Sequence, residues 1–267
     1  MNINQSLFSL HGKVVIVTGG SGMTGLEAVK QLPLYGARVV VGVRNVLHFE
    51  NKIQGTIYPK DIQKPLCYEL DIGENRSVKK FIQKVVDKFG CIDGLVNNAF
   101  PRTSDWQNKF EDVTPESLYK NLCDHAGGYF LCCQQAGEVM KQQKKGVILN
   151  VGSIYGVQSP HFPIYENTAM TSPATYALVK GGIHAFTKYL AAYFAPKGIR
   201  VNCLSPGGIQ DEEQQDPEFI KNYIKQTPMG RMGKPQDVVG PMIFLLSDAS
   251  QYVTGEILFV DGGWTVW

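Results

Sequence analysis

Short, continuously apolar segments recur along the chain and predict buried β-strands. They cover residues 13–18, 38–43, 66–70, 91–96, 146–151, 199–204 and 257–260. A strand in a parallel sheet is covered on both faces, so its sequence is apolar throughout rather than alternating. The pattern therefore favours a parallel sheet of about seven strands.

Between these segments, apolar residues recur at the three- and four-residue spacing of helices. The segment 75–89 shows it most clearly, with Val78, Phe81, Ile82, Val85 and Val86 on one face. Similar spacing predicts helices over 24–35, 115–141 and 175–196. Strands that alternate with helices, joined by right-handed crossovers, predict an α/β fold: a doubly wound Rossmann domain with helices on both faces. Because no linker or internal repeat interrupts the pattern, we expect one domain over residues 1–267.

Composition narrows the classes of function. The 267 residues carry a net charge of +2, and the basic residues are dispersed, which argues against nucleic-acid binding. No apolar run approaches the roughly 20 residues of a membrane helix, and the opening MNINQSLFSLHGK lacks a signal-peptide core. The six cysteines form no C-x-x-C pair, so reduced, buried thiols are expected and no metal site. We expect a cytoplasmic protein without membrane association.

The stretch VIVTGGSGMTGLEAV links the first strand to the first helix through a glycine-rich turn. G-x-G-x-x-G fits from Gly20 and T-G-x-x-G-x-x-G fits from Thr18, whereas T-G-x-x-x-G-x-G fits only if Met23 replaces its middle glycine. A turn of this kind presents backbone N–H groups at a helix N-terminus, where a pyrophosphate binds. The context on both sides favours a dinucleotide site over an ordinary tight turn.

The ends of the second and third strands bear on the choice of cofactor. An NAD site usually has an acidic residue at the end of the second strand, but Val43 is there and Arg44 follows. A guanidinium suits a 2′-phosphate, so NADP is favoured, with NAD as the alternative. The alternative, that Arg44 is only a solvated charge at the end of the strand, stays open. Asp71 either meets the adenine amino group or caps the next helix.

Tyr176 and Lys180 form Y-x-x-x-K, which places both side chains on one helical face. An ammonium near the phenol is expected to lower the pKa of Tyr176 from about 10 toward neutrality, so that it exchanges protons with an alcohol or carbonyl. Ser153 follows the strand 146–151 and is expected to hold the same substrate oxygen. Y-x-x-x-K alone arises by chance in many helices, but here it accompanies a cofactor turn and the sequence NNA.

Over nearly its whole length the chain resembles the short-chain dehydrogenase/reductase family. The matching elements are the glycine turn 18–25, Asp71-Ile72, Asn97-Asn98-Ala99, Ser153, Tyr176 with Lys180, Pro206-Gly207 and the closing VTGEILFVDGG. The resemblance implies a general acid/base at Tyr176, a carbonyl-orienting Ser153, and a Lys180 that holds the nicotinamide ribose and lowers the tyrosine pKa. It also implies cofactor contacts from Gly19, Ser21, Gly22, Met23, Thr24, Gly25, Arg44, Asp71, Ile72, Asn98, Ala99, Tyr176, Lys180, Pro206, Gly207 and Ile209. A homotetramer acting on a small molecule is the family's usual form.

Two single positions depart from the family pattern. Phe100 stands where glycine is common, and it either narrows the substrate mouth or is a packing substitution. His125 aligns with a family asparagine that supports a proton-relaying water, and Asn121 lies one turn earlier. We hypothesise that His125 takes over this role, titrating near neutrality. A helix histidine bonded only to backbone is the alternative.

The segment between Ser153 and Tyr176 is longer than in compact family members and is similar to the extended branch, which acts on nucleotide sugars. The T-G-x-x-G-x-x-G turn points the same way, whereas the C-terminal tail is that of the compact branch. The inserted residues His161, Tyr165, Glu166, Asn167 and Thr168 favour a sugar-derived substrate, unless the insertion is a surface excursion or a subunit contact.

The segment QDEEQQDPEF after Ile209 matches the family's mobile lid but is acidic, and a common threonine contact to the cofactor amide is missing. The segment either disfavours anionic substrates or is a solvated helix start. The main prediction is an NAD(P)-dependent oxidoreductase that interconverts a secondary alcohol and a ketone, on a sugar or sugar-derived substrate. A 3-oxoacyl thioester reductase and a non-catalytic dinucleotide-binding sensor are the alternatives.

Overall fold

The computed structural model describes residues 6–267 and contains a seven-stranded parallel sheet. Its strands are β1 Val14–Thr18, β2 Arg38–Val43, β3 Leu66–Glu69, β4 Gly94–Asn97, β5 Gly146–Val151, β6 Ile199–Pro206 and β7 Ile257–Val260, in the order β3-β2-β1-β4-β5-β6-β7. The predicted doubly wound α/β fold is confirmed. Residues 1–5, part of the segment that argued against a signal peptide, lie outside the described residues.

Eight α-helices are assigned in residues 6–267. They are α1 Met23–Gln31, α2 Val46–Ile53, α3 Asn75–Phe89, α4 Pro115–Asn121, α5 Gly128–Gln143, α6 Ala174–Phe194, α7 Pro217–Gln226 and α8 Pro235–Leu246. The predicted helix 24–35 is shorter, because a 3₁₀ turn over Leu32–Tyr35 follows α1 and Gly36, at φ 91°, ends it. The predicted helix 115–141 is interrupted by a π-helical turn over Leu122–Gly127. In the part of the chain that is described, no helix is long and apolar enough to cross a membrane.

The helices cover both faces of the sheet and enclose two hydrophobic cores. Helices α1, α2 and α8 pack on one face, where Val29, Phe49 and Val239 are buried. Helices α3, α5 and α6 pack on the other, where Phe81 and Tyr129 are buried. Burial on both faces explains why the strands are apolar throughout, as the sequence pattern indicated.

The chain reverses direction across the sheet between β1 and β4. From β1 the chain moves outward to β2 and β3, and β4 returns to pair with the other side of β1. In open α/β sheets, ligands bind at the carboxyl ends of the strands at such a switch point. A third hydrophobic cluster contains Ile154, Ile164, Phe219 and Trp264, which come from the inserted loop, α7 and the C-terminal tail.

Candidate active site

The glycine turn is sterically restricted at three of its glycines. At Gly20 a Cβ atom would lie 2.3 Å from the Val41 side chain. Gly19 has φ +70°, and a Cβ atom there would lie 2.5 Å from the Cα atom of Ala99. At Gly25 a Cβ atom would lie 2.4 Å from the carbonyl oxygen of Gly19. Gly22 has an ordinary φ of −77° and room for a Cβ atom. Gly19 and Gly25 belong to both fingerprints that begin at Thr18, and Gly20 is fixed by neither of them, so the turn does not distinguish the compact from the extended branch.

Side chains from β1 and β4 hold the turn in place. The Thr18 hydroxyl oxygen accepts hydrogen bonds from the backbone N–H groups of Asn98 and Ala99, at 3.0 and 3.1 Å. The Asn98 amide donates to the carbonyl oxygens of Thr18 and Gly19, at 3.0 and 3.1 Å. This network fixes the turn across the switch point between the two strands.

The N-terminus of α1 suits the pyrophosphate of a dinucleotide. Gly22 is the N-cap, and no described side chain caps the helix, so its first N–H groups face outward from the turn. Met23 begins the helix and is 43 % exposed, with Ser21 and Thr24 beside it. The open Gly22 position and the uncapped donors fit this cofactor.

Two cations lie near the end of β2 and the glycine turn. Arg44 directly follows β2 and is exposed. Lys52, which the sequence did not single out, donates from Nζ to the carbonyl oxygen of Ser21 at 3.0 Å. Asp71 does not cap α3, since Glu74 occupies that place, and its carboxylate accepts from the N–H of Gly73 at 3.0 Å instead.

Ile72, next to Asp71, is buried beneath the α4–α5 region. Gly128 at the start of α5 makes this packing close, because a Cβ atom there would lie 2.7 Å from the Ile72 side chain. The Ile72 side chain is therefore packed closely against the start of α5.

Ser153, Tyr176 and Lys180 meet at the carboxyl edge of the sheet. Ser153 follows β5, is buried, and its hydroxyl oxygen accepts from the N–H of Tyr155 at 3.2 Å. Tyr176 lies in the first turn of α6, and Lys180 is one turn further on. The Lys180 amine donates to the carbonyl oxygen of Val151 at 2.8 Å and lies 5.5 Å from the centre of the Tyr176 ring.

The expected lowering of the tyrosine pKa is wrong for this site. Burial raises the pKa of Tyr176, and hydrogen bonding by Ser153 lowers it only in part. Burial also lowers the pKa of Lys180 to about 8. The physical reason is that desolvation disfavours both charged forms, while the amine is hydrogen-bonded to Val151 rather than to the phenol.

His125 lies in the π-helical turn and packs between two aromatic rings. Its ring centre is 5.0 Å from that of Phe100 and 5.2 Å from that of Tyr129. It is 2 % exposed, and its Nε2 atom has no hydrogen-bond partner among the described residues. Burial, and then the charge of Lys180, hold the pKa of His125 well below its ordinary value. The expectation that it titrates near neutrality is therefore wrong.

Asn121, one turn before His125, holds a loop instead of facing the catalytic side chains. Its amide donates to the Thr103 hydroxyl at 2.8 Å, and its carbonyl oxygen accepts from the Thr103 N–H at 3.1 Å. π-helical turns often occur at functional sites because they displace side chains from the regular helical path. Here Asn121 lies just before the turn and holds the loop, whereas His125 lies within the turn, beside Lys180.

Aromatic side chains surround the mouth of the site. Phe100 is 38 % exposed, and its ring centre lies 5.4 Å from that of Tyr176, so it does border the mouth. Trp106 lies 6.3 Å from Tyr176 and 5.1 Å from Phe100 between ring centres. Tyr155 meets Tyr176 edge to face at 6.5 Å. The sequence pattern did not identify Trp106 or Tyr155, because irregular loops carry no periodic signal, although both lie within a few residues of a family motif.

The inserted loop is anchored rather than a free surface excursion. Ile164 is buried, and Tyr165 stacks on Phe219 of α7 with 5.3 Å between ring centres. The hydroxyl groups of Tyr155 and Tyr165 lie 3.3 Å apart. Of the polar residues named from the sequence, His161, Glu166 and Asn167 are exposed, and the Thr168 hydroxyl donates to the Tyr165 carbonyl oxygen.

Two segments after β6 and β7 form the far wall of the cleft. Pro206 ends β6, and a Cβ atom on Gly207 would lie 2.9 Å from the Cα atom of Asp261. Ile209 forms an isolated parallel bridge with Gly233. These contacts fix the backbone where the family places the nicotinamide.

The acidic segment after Ile209 leads into a helix. The Asp216 carboxylate accepts from the N–H of Glu218 at 2.8 Å and so caps α7, as the helix-start interpretation expected. Glu212 and Glu213 are exposed.

Comparison with known proteins agrees with this geometry. A family model described as enoyl-(acyl carrier protein) reductase matches residues 22–265. Similar proteins include post-translational flagellin modification protein A of Campylobacter coli, 34 % identical over 96 % of this chain and 99 % of that protein. L-rhamnose-1-dehydrogenase of Scheffersomyces stipitis is 33 % identical over 95 % of this chain and 96 % of that protein. The 3-oxoacyl-[acyl-carrier-protein] reductase FabG of Chlamydia pneumoniae is 35 % identical over 96 % of this chain and 98 % of that protein.

A solved structure extends the likeness to three dimensions. The short-chain dehydrogenase from Leptospira borgpetersenii, determined with bound NAD+, is 38 % identical and superposes with a TM-score of 0.84. The match covers 97 % of this chain and 95 % of that one. The chain therefore belongs to the short-chain dehydrogenase/reductase family and is an NAD(P)-dependent oxidoreductase.

Proposed function

We propose that the enzyme interconverts a secondary alcohol and a ketone on a polyhydroxylated, sugar-like substrate, with NADP preferred and NAD as the alternative. The paired hydroxyl groups of Tyr155 and Tyr165 beside Tyr176 carry this proposal. Two phenols have two donor hydrogens, and their mutual hydrogen bond uses one of them, which leaves a donor for a substrate hydroxyl. Burial raises the pKa of both phenols, so both stay protonated.

The shape of the mouth supports the same substrate class. Phe100 and Trp106 offer apolar ring surface next to the polar pair, a combination suited to a molecule with C–H faces and hydroxyl edges. The likeness to an L-rhamnose-1-dehydrogenase is consistent with it.

The candidate catalytic residues divide the chemistry among themselves. Tyr176 gives or takes the proton at the substrate oxygen, and Ser153 hydrogen-bonds the same oxygen. Lys180 would bind the nicotinamide ribose through its amine. His125 offers its unpartnered Nε2 atom to a water next to Lys180, as a neutral hydrogen-bonding group. The nicotinamide, when bound, supplies or accepts the hydride at the substrate carbon.

The remaining site residues would hold the cofactor along the carboxyl edge. The pyrophosphate would be bound by the turn residues Gly19, Ser21, Gly22, Met23, Thr24 and Gly25. The adenine would be bound by Asp71 and Ile72, and the side of the cofactor by Asn98 and Ala99. The nicotinamide would be bound by Pro206, Gly207 and Ile209. Arg44, joined by Lys52, would bind the 2′-phosphate of NADP, since no acidic residue occupies the end of β2.

A substrate screen with matched variants tests the proposal. Polyols, keto sugars and 3-oxoacyl thioesters are assayed with both cofactors by nicotinamide absorbance. Replacing Tyr155 or Tyr165 by phenylalanine removes a hydrogen bond worth about 0.5–1.5 kcal/mol, so the KM for the sugar-like substrate should rise about three- to tenfold. Tyr252→Phe, at a fully exposed tyrosine, is the control. An unchanged KM in both variants would refute the role of the pair.

The second candidate function is the reduction of 3-oxoacyl thioesters. An apolar groove of about 570 Å³ lies beside the N-terminal turn of α6 and is lined by Phe110, Phe162 and Leu178, among others. It could accept an acyl or pantetheine chain, and the Chlamydia pneumoniae relative is named for this reaction. Three results together would establish this function instead: the wild type turns over acetoacetyl thioesters, it does not turn over polyols, and Leu178→Asp abolishes the thioester activity.

We further propose a single-domain, cytoplasmic enzyme that assembles as a homotetramer. Exposed aromatic rings on α5 and α6, including Phe130, Tyr189 and Tyr193, suit a helix-to-helix contact between subunits. Trp264 is buried against Tyr223, whereas Val266 and Trp267 are exposed, so the end of the tail offers a second contact. Light scattering of the purified protein tests the assembly, and cell fractionation tests the location.

A further inference from the structure

We propose that the substrate carries a carboxylate and that Arg102, at the mouth of the site, binds it. This inference rests on the proposed function and narrows its substrate class to sugar acids or other polyhydroxy acids. Arg102 lies in the loop that follows β4, outside the residues assigned above to the cofactor or to proton transfer.

The guanidinium of Arg102 is held against two rings of the aromatic mouth. Its central carbon lies 5.0 Å from the centre of Trp106 and 5.6 Å from the centre of Phe100. These rings are nearly perpendicular, at 87°, and form a notch for the cation. Because Phe100 also contacts Tyr176, at 5.4 Å, the guanidinium is separated from the proposed proton-exchanging phenol by a single ring. The guanidinium carbon lies 5.6 Å from the centre of the Phe100 ring, and that centre lies 5.4 Å from the centre of the Tyr176 ring.

The charge of Arg102 is available for a ligand. Arg102 is exposed, and no carboxylate in residues 6–267 forms a salt bridge with it. The acidic residue nearest in the chain, Asp105, is engaged elsewhere, since it accepts from the Ser117 hydroxyl at 2.9 Å. Hydrogen bonds from Thr103 and Ser117 hold the pKa of Asp105 below its ordinary value.

The loop is fixed at the residue directly after the cation, which helps to hold the guanidinium in place before a ligand binds. Asn121 binds both the backbone and the hydroxyl of Thr103, directly after Arg102. The Thr103 and Ser117 hydroxyls lie 3.1 Å apart and tie the loop to α4. Stacking on aromatic faces restrains the guanidinium further, with its N–H edge left free.

The chemistry of the group favours a carboxylate over a phosphate. The planar fork of a guanidinium forms bidentate pairs with carboxylates and with phosphates, so the charge of the ligand decides between them. One guanidinium balances one negative charge, whereas a phosphate monoester carries close to two at neutral pH. Lys109, the other cation of this loop, lines the apolar groove beside α6 instead.

The test compares hexonates, hexitols of matching stereochemistry and hexose phosphates, in the wild type and in Arg102→Gln, Arg102→Lys and Lys79→Gln, a control at an exposed position of α3. We expect the wild type to prefer a hexonate, and Arg102→Gln to raise its KM at least about tenfold with little change in kcat. The KM for a hexitol should stay within about twofold. Arg102→Lys, which keeps the charge but not the fork, should recover the hexonate KM only in part, and Lys79→Gln should match the wild type.

Two results would overturn the inference while the proposed function stands: a hexitol preferred by the wild type, or a hexonate KM that Arg102→Gln leaves unchanged. Arg102-dependent preference for a hexose phosphate would overturn the carboxylate assignment. No turnover of any polyhydroxylated compound would instead refute the proposed substrate class itself.

Discussion

Replacing Gly25 by alanine tests the steric argument for the cofactor turn. The added methyl group would lie 2.4 Å from the Gly19 carbonyl oxygen and 2.5 Å from the Asn98 amide nitrogen. Neither group moves freely, because Gly19 is fixed at φ +70° and Asn98 makes two hydrogen bonds to the turn. The turn must open, or Asn98 must leave it.

The size of the effect follows from three contributions. Overpacking of a close contact costs about 1–3 kcal/mol, and each hydrogen bond lost with Asn98 costs about 0.5–1.5 kcal/mol. The higher helix propensity of alanine offsets at most about 1 kcal/mol of this destabilisation. We expect a net loss of about 1–3 kcal/mol in the free energy of unfolding. The same distortion should weaken cofactor binding about tenfold for each 1.4 kcal/mol.

The assay measures the Kd for NADPH by fluorescence titration and the midpoint of thermal unfolding. A loss of 1 kcal/mol lowers the Tm of a chain of this size by about 2–4 °C. Gly240→Ala is the matched control, because Gly240 is an exposed position of α8 where an added methyl group would have no neighbouring atom within 4 Å. A Gly25→Ala protein with the wild-type Kd and Tm would show that the turn is looser than these contacts imply.

Further predictions concern the candidate catalytic and cofactor residues. Tyr176→Phe should lower kcat about 10²- to 10⁴-fold with an unchanged NADPH Kd, and a loss below tenfold would remove it as the acid/base. His125→Asn should keep the wild-type pH dependence between about pH 6 and 9, because His125 is neutral there; a displaced acid limb in kcat/KM would contradict this. Burial lowers the pKa of Lys180 to about 8, so the amine loses its charge as the pH rises through that value, and kcat/KM should fall there. A kcat/KM that stays constant up to about pH 10 would argue against a role for a charged lysine. Arg44→Ala and Lys52→Ala should each raise the KM for NADP about three- to tenfold and leave that for NAD unchanged, and equal effects on both cofactors would assign these cations to the shared pyrophosphate.

Much of the scaffold could be predicted from local pattern. The strands at 38–43, 146–151 and 257–260 and the helix at 75–89 have the predicted bounds. These elements are either apolar throughout or strongly amphipathic, so burial alone distinguishes them. Helices α2 and α8 were not predicted. The sequence of α8, PQDVVGPMIFLL, is apolar on nearly every side and contains a proline, so it lacks helical periodicity.

In the site, too, some residues could be predicted from local pattern and others could not. Motif spacing identified Ser153, Tyr176 and Lys180, which do meet in space, because the carboxyl ends of parallel strands converge on one edge. The loop residues Arg102 and Trp106 were missed. Their places depend on hydrogen bonds from Asn121, which is distant along the chain.

By itself, the sequence determined the parallel α/β fold, the cofactor turn and the family, since apolar periodicity and motif spacing are local properties of the chain. Only the tertiary structure decided the pKa values of the site residues and the arrangement of side chains around the mouth of the site. Burial, set by elements far apart in sequence, raises the pKa of Tyr176 and lowers those of Lys180 and His125. The β4 loop and the inserted loop each bring aromatic rings to Tyr176 of α6, and Arg102 lies on two of these rings. Such contacts depend on how separate segments meet and not on the sequence pattern of each segment.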